Sequence, residues 1–303
     1  MKNNRLIVVA GPTAVGKTEL AVALAEHLRT EIVSADSRQL FRELQIGTAP
    51  PSAEQLARVK HHFIASHSVQ QPYDAGQYGR DALQVIHQLM TKYRDVILCG
   101  GSGLYIKAVC DGFDELPEVA PALREEIVRQ YKDKGLSWLQ HAVADKDPVF
   151  FEEVDQQNPQ RLMRALELIQ STGRTMKELR PNKKSQHAFS ILKLGLEIPR
   201  EVLYERIDQR MDAMINSGLF EEAQSLFPLR HLNALQTVGY QEIFDCMEGK
   251  YDREEAVRLL KRNSRHYAKR QLTWFKRDAA IHWLDATDLT IALRAATEYL
   301  DQN

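Results

Sequence analysis

The sequence predicts an α/β protein, a P-loop parallel sheet flanked by helices and interrupted by an all-helical insertion domain. Three observations lead there. A short apolar run at 6–10 passes through a glycine-containing octapeptide at 11–18 straight into an amphipathic stretch. Strand-like and helix-like segments then alternate over the first third of the 303 residues. Between about 115 and 186 no β run stands out, and one returns at 190–198.

Each element has a local reason. L-I-V-V-A at 6–10 is short and apolar throughout, as a buried strand is. Leu20, Ala21, Leu24 and Leu28 recur at helical spacing, so 19–28 is a helix. Residues 31–35 form a second strand, and 81–93 a helix through Leu83, Ile86, Leu89 and Met90. A third strand, 95–99, ends in Gly100-Gly101. Prolines at 117, 121, 148, 159 and 181 then punctuate helical stretches such as 122–131 and 161–171. S-I-L-K-L-G-L-E-I at 190–198 reads as a strand again, and after Pro199 the pattern is helical to the end. The economical division is a core at 1–114, a helical insertion at 115–189, and a core continuation with basic helices at 190–303.

Composition sets limits. With 40 Lys+Arg against 41 Asp+Glu the net charge is -1, which excludes a uniformly basic coat for polyanions but leaves room for a local patch. No apolar run approaches the roughly 18 residues that span a membrane. The polar start leads into an apolar run too short for a signal peptide. Three cysteines share no C-x-x-C spacing, so neither a zinc site nor a disulfide framework is expected. We expect a soluble, cytoplasmic monomer without a membrane partner.

Gly11, Pro12, Thr13, Ala14, Val15, Gly16, Lys17 and Thr18 match G-x-x-x-x-G-K-[ST] between a strand and a helix. In that pattern the glycines permit a tight turn, and backbone N–H groups surround phosphate oxygens at the helix start. Lys17 adds a charge and Thr18 a hydroxyl for Mg²⁺. The loop predicts binding of a di- or triphosphate group. It does not choose between nucleotide binding, kinase activity and hydrolysis.

A nucleoside triphosphatase usually carries an Asp after a later strand. Here that strand runs into Gly100-Gly101-Ser102-Gly103 instead, a turn better explained by tight strand–helix packing than by a ligand. The nearest acid in a comparable place is Asp36, after the second β run, where strand ends face the ligand crevice. Its spacing suits a base or metal partner and an N-cap equally well.

From Ala256 to Arg277 there is no acid, and eight of the 40 basic residues fall in these 22 positions. Arg258, Arg262, Arg265, Lys269 and Lys276 share one stripe, opposite Leu260, Tyr267, Trp274 and Phe275. A solvated face normally intermixes acids, so we read a cationic ridge for a polyanion. Gln160-Arg161-Leu162-Met163-Arg164 forms a second basic cluster, with Leu162, Leu166 and Ile169 inward as the structural alternative. Arg206 and Arg210, at i,i+4, could clamp phosphates or pair with Glu205 or Asp208. His61-His62 has no third metal ligand at useful spacing and reads as packing.

Taken in order, these motifs resemble the tRNA dimethylallyltransferases, the isopentenyl pyrophosphate transferase family. The resemblance spans nearly the whole chain: G-P-T-A-V-G-K-T, S-A-D-S-R-Q (34–39), I-G-T-A (46–49), H-H-F-I (61–64) and G-G-S-G-L-Y (100–105). N-P-Q-R-L-M-R-A-L-E (158–167), L-Y-E-R-I-D-Q-R (203–210), V-G-Y-Q-E (238–242) and Y-A-K-R-Q-L-T-W-F (267–275) complete it. It implies transfer of a dimethylallyl group from dimethylallyl pyrophosphate to N6 of adenosine 37, in tRNAs reading codons that begin with U. It implies that the loop holds the prenyl pyrophosphate, with Mg²⁺ as cofactor. Asp36 would take a proton or hydrogen bond from N6, Thr13 would bond the bridging oxygen, and Lys17, Thr18 and Arg210 would neutralise the leaving pyrophosphate. Asp36, Ser37, Arg38 and Gln39 would meet the base. Ser102, Arg124, Gln160, Arg161, Leu162, Met163, Arg164, Gly239, Tyr240, Arg265, Lys269 and Arg270 would contact the tRNA, the insertion gripping the anticodon stem-loop.

The chain departs from the family pattern at Ser102 (usually Thr), Phe41 (Tyr) and Pro51 (Lys), and Ala65-Ser66 lacks an Asp. Two other classes compete. A P-loop small-molecule kinase explains the loop and the paired arginines but neither the basic helix nor the insertion. An NTP-switched RNA-binding protein needs nucleotide-dependent loops and a Mg²⁺-binding acid, and the sequence singles out neither.

Overall fold

The computed structural model describes residues 4–114, 116–180 and 185–303; the expected first insertion residue, Glu115, and Pro181 lie outside the described residues. The chain runs β1 (Arg5–Ala10), α1 (Lys17–Leu28), β2 (Ile32–Ser34), α2 (Ala53–Arg58), β3 (His61–His62), α3 (Ala75–Met90), β4 (Asp95–Gly100) and α4 (Gly103–Cys110). Four helices follow: α5 (Pro121–Lys146, broken at Gly135), α6 (Pro148–Glu153), α7 (Pro159–Thr172) and α8 (Met176–Leu179). Then come β5 (Ser190–Glu197), α9 (Arg200–Asn216), α10 (Leu219–Leu226), α11 (Gln241–Met247), α12 (Arg253–Phe275), β6 (Ile281–Asp285) and α13 (Leu289–Gln302).

All six strands are parallel, in the order β3-β2-β4-β1-β5-β6. β1 lies inside the sheet, Val8 facing Leu98 on one side and Lys193 on the other, and all six of its residues are buried. That explains its unbroken apolar run. Leu6 and Val8 enter one core layer with Val33, Val96 and Leu98; Ile7 and Val9 enter the other with Leu20, Leu24 and Leu196. Parallel strands put their C-terminal ends on one edge, so the segments after β1, β2, β4 and β5 converge there.

The expectation of an all-helical C-terminal part is corrected by β6. Only Ile281 and Leu284 of its side chains are buried, and it pairs with β5 alone. A short, half-exposed edge strand carries little apolar signal.

The chain divides into two compact units, Met1–Asp111 with Gln186–Asn303, and Gly112–Ser185. These boundaries fall a few residues before the expected ones at 114 and 189. The reason is visible at the second: Phe189 is buried in the sheet core, and His187 bonds the Cys110 carbonyl (Nε2–O 3.0 Å). The helical unit has its own core, Ile127, Leu139 and Val143 of α5 against Leu162, Met163 and Leu166 of α7. Its prolines open helices: Pro121, Pro148 and Pro159 occupy first-turn positions, where a missing N–H costs nothing. Asp147 and Asn158 cap α6 and α7 through the amides of Phe150 and Arg161.

Candidate active site

A cavity of about 790 Å³ opens at the C-terminal edge of the sheet, within the first unit. The phosphate-type loop forms one wall. Ala14 and Gly16 take positive φ angles (63° and 105°), and a Cβ at Gly11 would come within 2.9 Å of the Leu196 carbonyl. The loop therefore needs glycine at 11 for close approach and at 16 for its handedness. α1 begins at Lys17, whose Nζ donates to the Pro12 carbonyl (2.7 Å). Thr18 lines the cavity beside it.

Burial lowers the Lys17 ammonium to about 8; Asp36 opposes the shift, and Arg210 adds to it. Binding an anion favours the charged form. Affinity for inorganic pyrophosphate should therefore be greatest below pH 8 and fall about tenfold per pH unit above it. Calorimetric titration between pH 7 and 9.5 checks this, and a flat profile would mean that Lys17 does not meet the anion.

Arg210 comes from α9. Its guanidinium bonds the Thr13 hydroxyl (3.4 Å) and the carbonyls of Thr48 (3.5 Å) and Ala49 (3.2 Å). Burial pulls it below its ordinary value, while Asp36 and Glu19 pull it back. Arg206 lines the same cavity. The acids that might have neutralised this pair are engaged elsewhere, Asp208 with Arg265 and Glu205 with Gln209.

Asp36 faces the cavity from the end of β2. Its Oδ1 accepts from the amides of Arg38 (2.9 Å) and Gln39 (3.2 Å), and among the described residues Oδ2 has no hydrogen-bond partner. One oxygen thus fixes the turn, as a capping residue would, and the other is unbonded among the described residues. Ser37 and Ser102 tie this turn to the one after β4, the Ser37 amide donating to Ser102 Oγ (2.9 Å). The Tyr267 phenol bonds Ser102 and is pushed up to about 12, chiefly by burial, with Asp36 adding to the shift.

The G-G-S-G turn is a packing device. A Cβ at Gly100 would overlap the Ala35 backbone, at Gly101 the Gln271 amide, and at Gly103 the Trp274 indole. Where a triphosphatase places its acid, β4 presents Cys99, whose buried thiol is pushed up to about 12 and stays neutral. Asp36 and Glu19 are the only acids lining the cavity among the described residues.

Gln271 falls in the 267–275 motif, read for tRNA contact, but the role it takes in the fold was not foreseen. Its Oε1 accepts from the Thr13 amide (2.8 Å) and its Nε2 donates to the Gly101 carbonyl (2.9 Å). One buried amide of α12 thus joins the loop after β1 to the turn after β4. Nothing local marks it; the contact spans 258 positions.

The remaining expected residues fall into three groups. Arg38 and Gly239 line the cavity, as does Gln39, whose Nε2 is held by the Thr48 and Ala49 carbonyls. Lys269 and Arg270 are exposed on α12, and Arg124, Gln160, Arg161 and Arg164 lie in the helical unit. There, Arg164 and Arg124 approach the buried Glu167 carboxylate (3.0 and 3.8 Å). Four expectations need correction. Leu162 and Met163 are buried in the helical core, because α7 turns that face inward. Tyr240 is wholly buried and donates to Glu222 (2.6 Å). Arg265 forms two short bonds to Asp208, so it is not a free cation.

The acid-free ridge is corrected with it. Its acids sit on packed neighbours: Lys261 pairs with Asp212 of α9, and Lys276 with Glu197 of β5. Arg258 pairs with Glu255, just before the acid-free stretch. His61 bonds the Val59 carbonyl and His62 bonds Glu31, both packing roles. Phe41 is buried, so the absent phenol leaves no polar group to satisfy.

Fold and cavity together define a P-loop α/β protein with cations, two carboxylates and an apolar wall on a single pocket. The family model described as IPP transferase matches residues 39–278, and the chain belongs to that family. It is 46% identical over 288 residues to a tRNA dimethylallyltransferase of Cytophaga hutchinsonii, covering 95% of each chain. It is 47% identical over 282 residues to tRNA dimethylallyltransferase 2 of Porphyromonas gingivalis, covering 93% of this chain and 94% of that one. Among solved structures, the full-length tRNA isopentenylpyrophosphate transferase of Bacillus halodurans is similar at 34% identity and TM-score 0.74, with 99% and 96% of the chains covered. A eukaryotic dimethylallyltransferase acting on tRNA shares the fold at TM-score 0.81 and 22% identity, with 99% and 80% covered.

Proposed function

We propose that the protein transfers the dimethylallyl group of dimethylallyl pyrophosphate to N6 of adenosine 37 in tRNAs reading codons that begin with U. One observation carries the chemistry: Lys17, Arg210 with Thr13, and the Asp36 carboxylate share a cavity whose other walls include Leu196, Ile207, Met211 and Met214. The cations suit the pyrophosphate, the apolar wall suits a five-carbon chain, and the carboxylate suits an amine. N6 attacks the allylic carbon, the carbon–oxygen bond breaks, and pyrophosphate leaves with the electron pair. The N6 proton passes to Asp36. Lys17 and Arg210 meet the charge that grows on the leaving oxygens.

The described residues contain no cluster of three or more His, Cys, Asp or Glu that could cage a metal. Such a sparse donor set fits Mg²⁺, which keeps waters and is held largely through substrate phosphates. Thr18 would hold it there, where it supplies charge neutralisation.

An adenine in an anticodon loop must leave its stack to reach such a pocket, and single-stranded loops allow this at low cost. Lys269 and Arg270 on α12, with Arg124, Gln160, Arg161 and Arg164 of the helical unit, supply the phosphate contacts. Lys269→Ala should flatten the salt dependence of tRNA binding by about one counterion. Arg265→Ala should leave the slope unchanged and lower thermal stability instead, since Arg265 is bound to Asp208. Equal slopes for wild type and Lys269→Ala would remove this ridge from the interface.

Incubation with labelled dimethylallyl pyrophosphate and an anticodon stem-loop tests the whole reading, with ATP turnover measured in parallel. Label in the RNA is expected. ATP turnover without label transfer would favour a kinase or switch.

A further inference from the structure

The I-G-T-A turn supplies the carbonyls that hold Arg210, and one acid holds the turn. Glu222 of α10 accepts the amides of Gln45 and Ile46 on Oε2 (2.8 Å each). Its Oε1 accepts the Gly47 amide (3.0 Å) and the Tyr240 phenol (2.6 Å). Three consecutive backbone N–H groups aimed at one carboxylate form an anion nest, here filled by the protein itself. The turn is costly to make without it. Ala49 sits at φ 41°, a left-handed angle that a residue with a Cβ disfavours. A Cβ at Gly47 would strike the Tyr240 ring at 2.6 Å, so the ring and the turn are fitted to each other. Just beyond the nest, the Thr48 and Ala49 carbonyls accept from Arg210 (3.5 and 3.2 Å), which reaches on to the Thr13 hydroxyl. The same two carbonyls hold Gln39.

We infer that Glu222 is a positioning residue, which fixes Arg210 against the pyrophosphate by locking residues 45–49. The inference rests on the pyrophosphate reading of the cavity. Glu222 is itself outside the cavity lining; of what it holds, Gly47 and Tyr240 line the cavity, and the next two carbonyls, Thr48 and Ala49, are the ones that reach a cation, Arg210. Glu222→Gln preserves shape but sets an NH₂ group against backbone donors, releasing the turn.

The test is inorganic pyrophosphate affinity, by calorimetry, in wild type, Glu222→Gln, Arg210→Ala and the double variant. Glu222→Gln should weaken binding about tenfold in the wild-type background and less than twofold once Arg210 is gone. An equal loss in both backgrounds would reduce Glu222 to a fold-stabilising role and overturn the inference. If Glu222→Gln does not fold, Tyr240→Phe, which removes one of the four donors, should show the same dependence on Arg210 at about threefold. Its loss persisting without Arg210 would likewise overturn the inference. The binding readout needs no prenyl transfer, so failure of the reaction assigned to the cavity shows separately, as wild type that binds pyrophosphate but labels no RNA.

Discussion

Asp36→Asn is expected to lower turnover about a thousandfold and to leave tRNA affinity within about twofold. The substitution is nearly isosteric. The Asn side-chain oxygen can still accept the Arg38 and Gln39 amides that Oδ1 accepts now, so the turn after β2 should persist. What is lost is the charge and the second oxygen, which has no hydrogen-bond partner among the described residues and can take a proton from an amine. Removing its charge also raises the net positive charge around Lys17 and Arg210, to which Asp36 is electrostatically coupled. Pyrophosphate should therefore bind at least as tightly as in wild type. Single-turnover kinetics with stem-loop RNA separate these effects. Wild-type turnover in the variant would remove Asp36 from the chemistry.

Arg210→Met should also lower turnover, through the leaving group rather than the amine. A buried guanidinium that already contacts Thr13 is preorganised for charge that appears on the leaving oxygens. Its loss should lower kcat/KM for dimethylallyl pyrophosphate on the order of a hundredfold, most of it in kcat, with little change in tRNA affinity. Met fills a similar volume, and the Thr48 and Ala49 carbonyls remain within reach of Gln39, so the cavity wall should hold. A change confined to KM would assign Arg210 to binding the ground state alone.

How much of this could be read from the sequence follows from how local each signal is. The loop at 11–18 and Asp36 are legible because their chemistry is set by residues a few positions apart. The sheet was legible where strands are buried on both faces, as at β1, and not at β6, where only Ile281 and Leu284 turn inward. The insertion was legible from its prolines, of which Pro121, Pro148 and Pro159 each start a helix. Its junction near 186 was not, because Phe189 joins the sheet core by a contact no periodicity records. Sequence charge misled at α12. A stretch without acids looked like a ridge of free cations, but Asp208, Asp212 and Glu197 reach it from α9 and β5. Gln271 and Glu222 stayed hidden for the same reason. Each is unremarkable in its own helix and acquires its role chiefly from groups 170 to 258 positions away.

The central claim is that one cavity joins a prenyl pyrophosphate on the loop after β1 to an adenine amine at Asp36. It is tested most directly with two anticodon stem-loops, one carrying adenosine at position 37 and one carrying purine riboside, which lacks the exocyclic amine. The adenosine RNA should gain one five-carbon unit and release one pyrophosphate per unit gained, while the purine riboside RNA binds with similar affinity and gains none. Equal modification of the two RNAs, or pyrophosphate release without RNA modification, would contradict the claim.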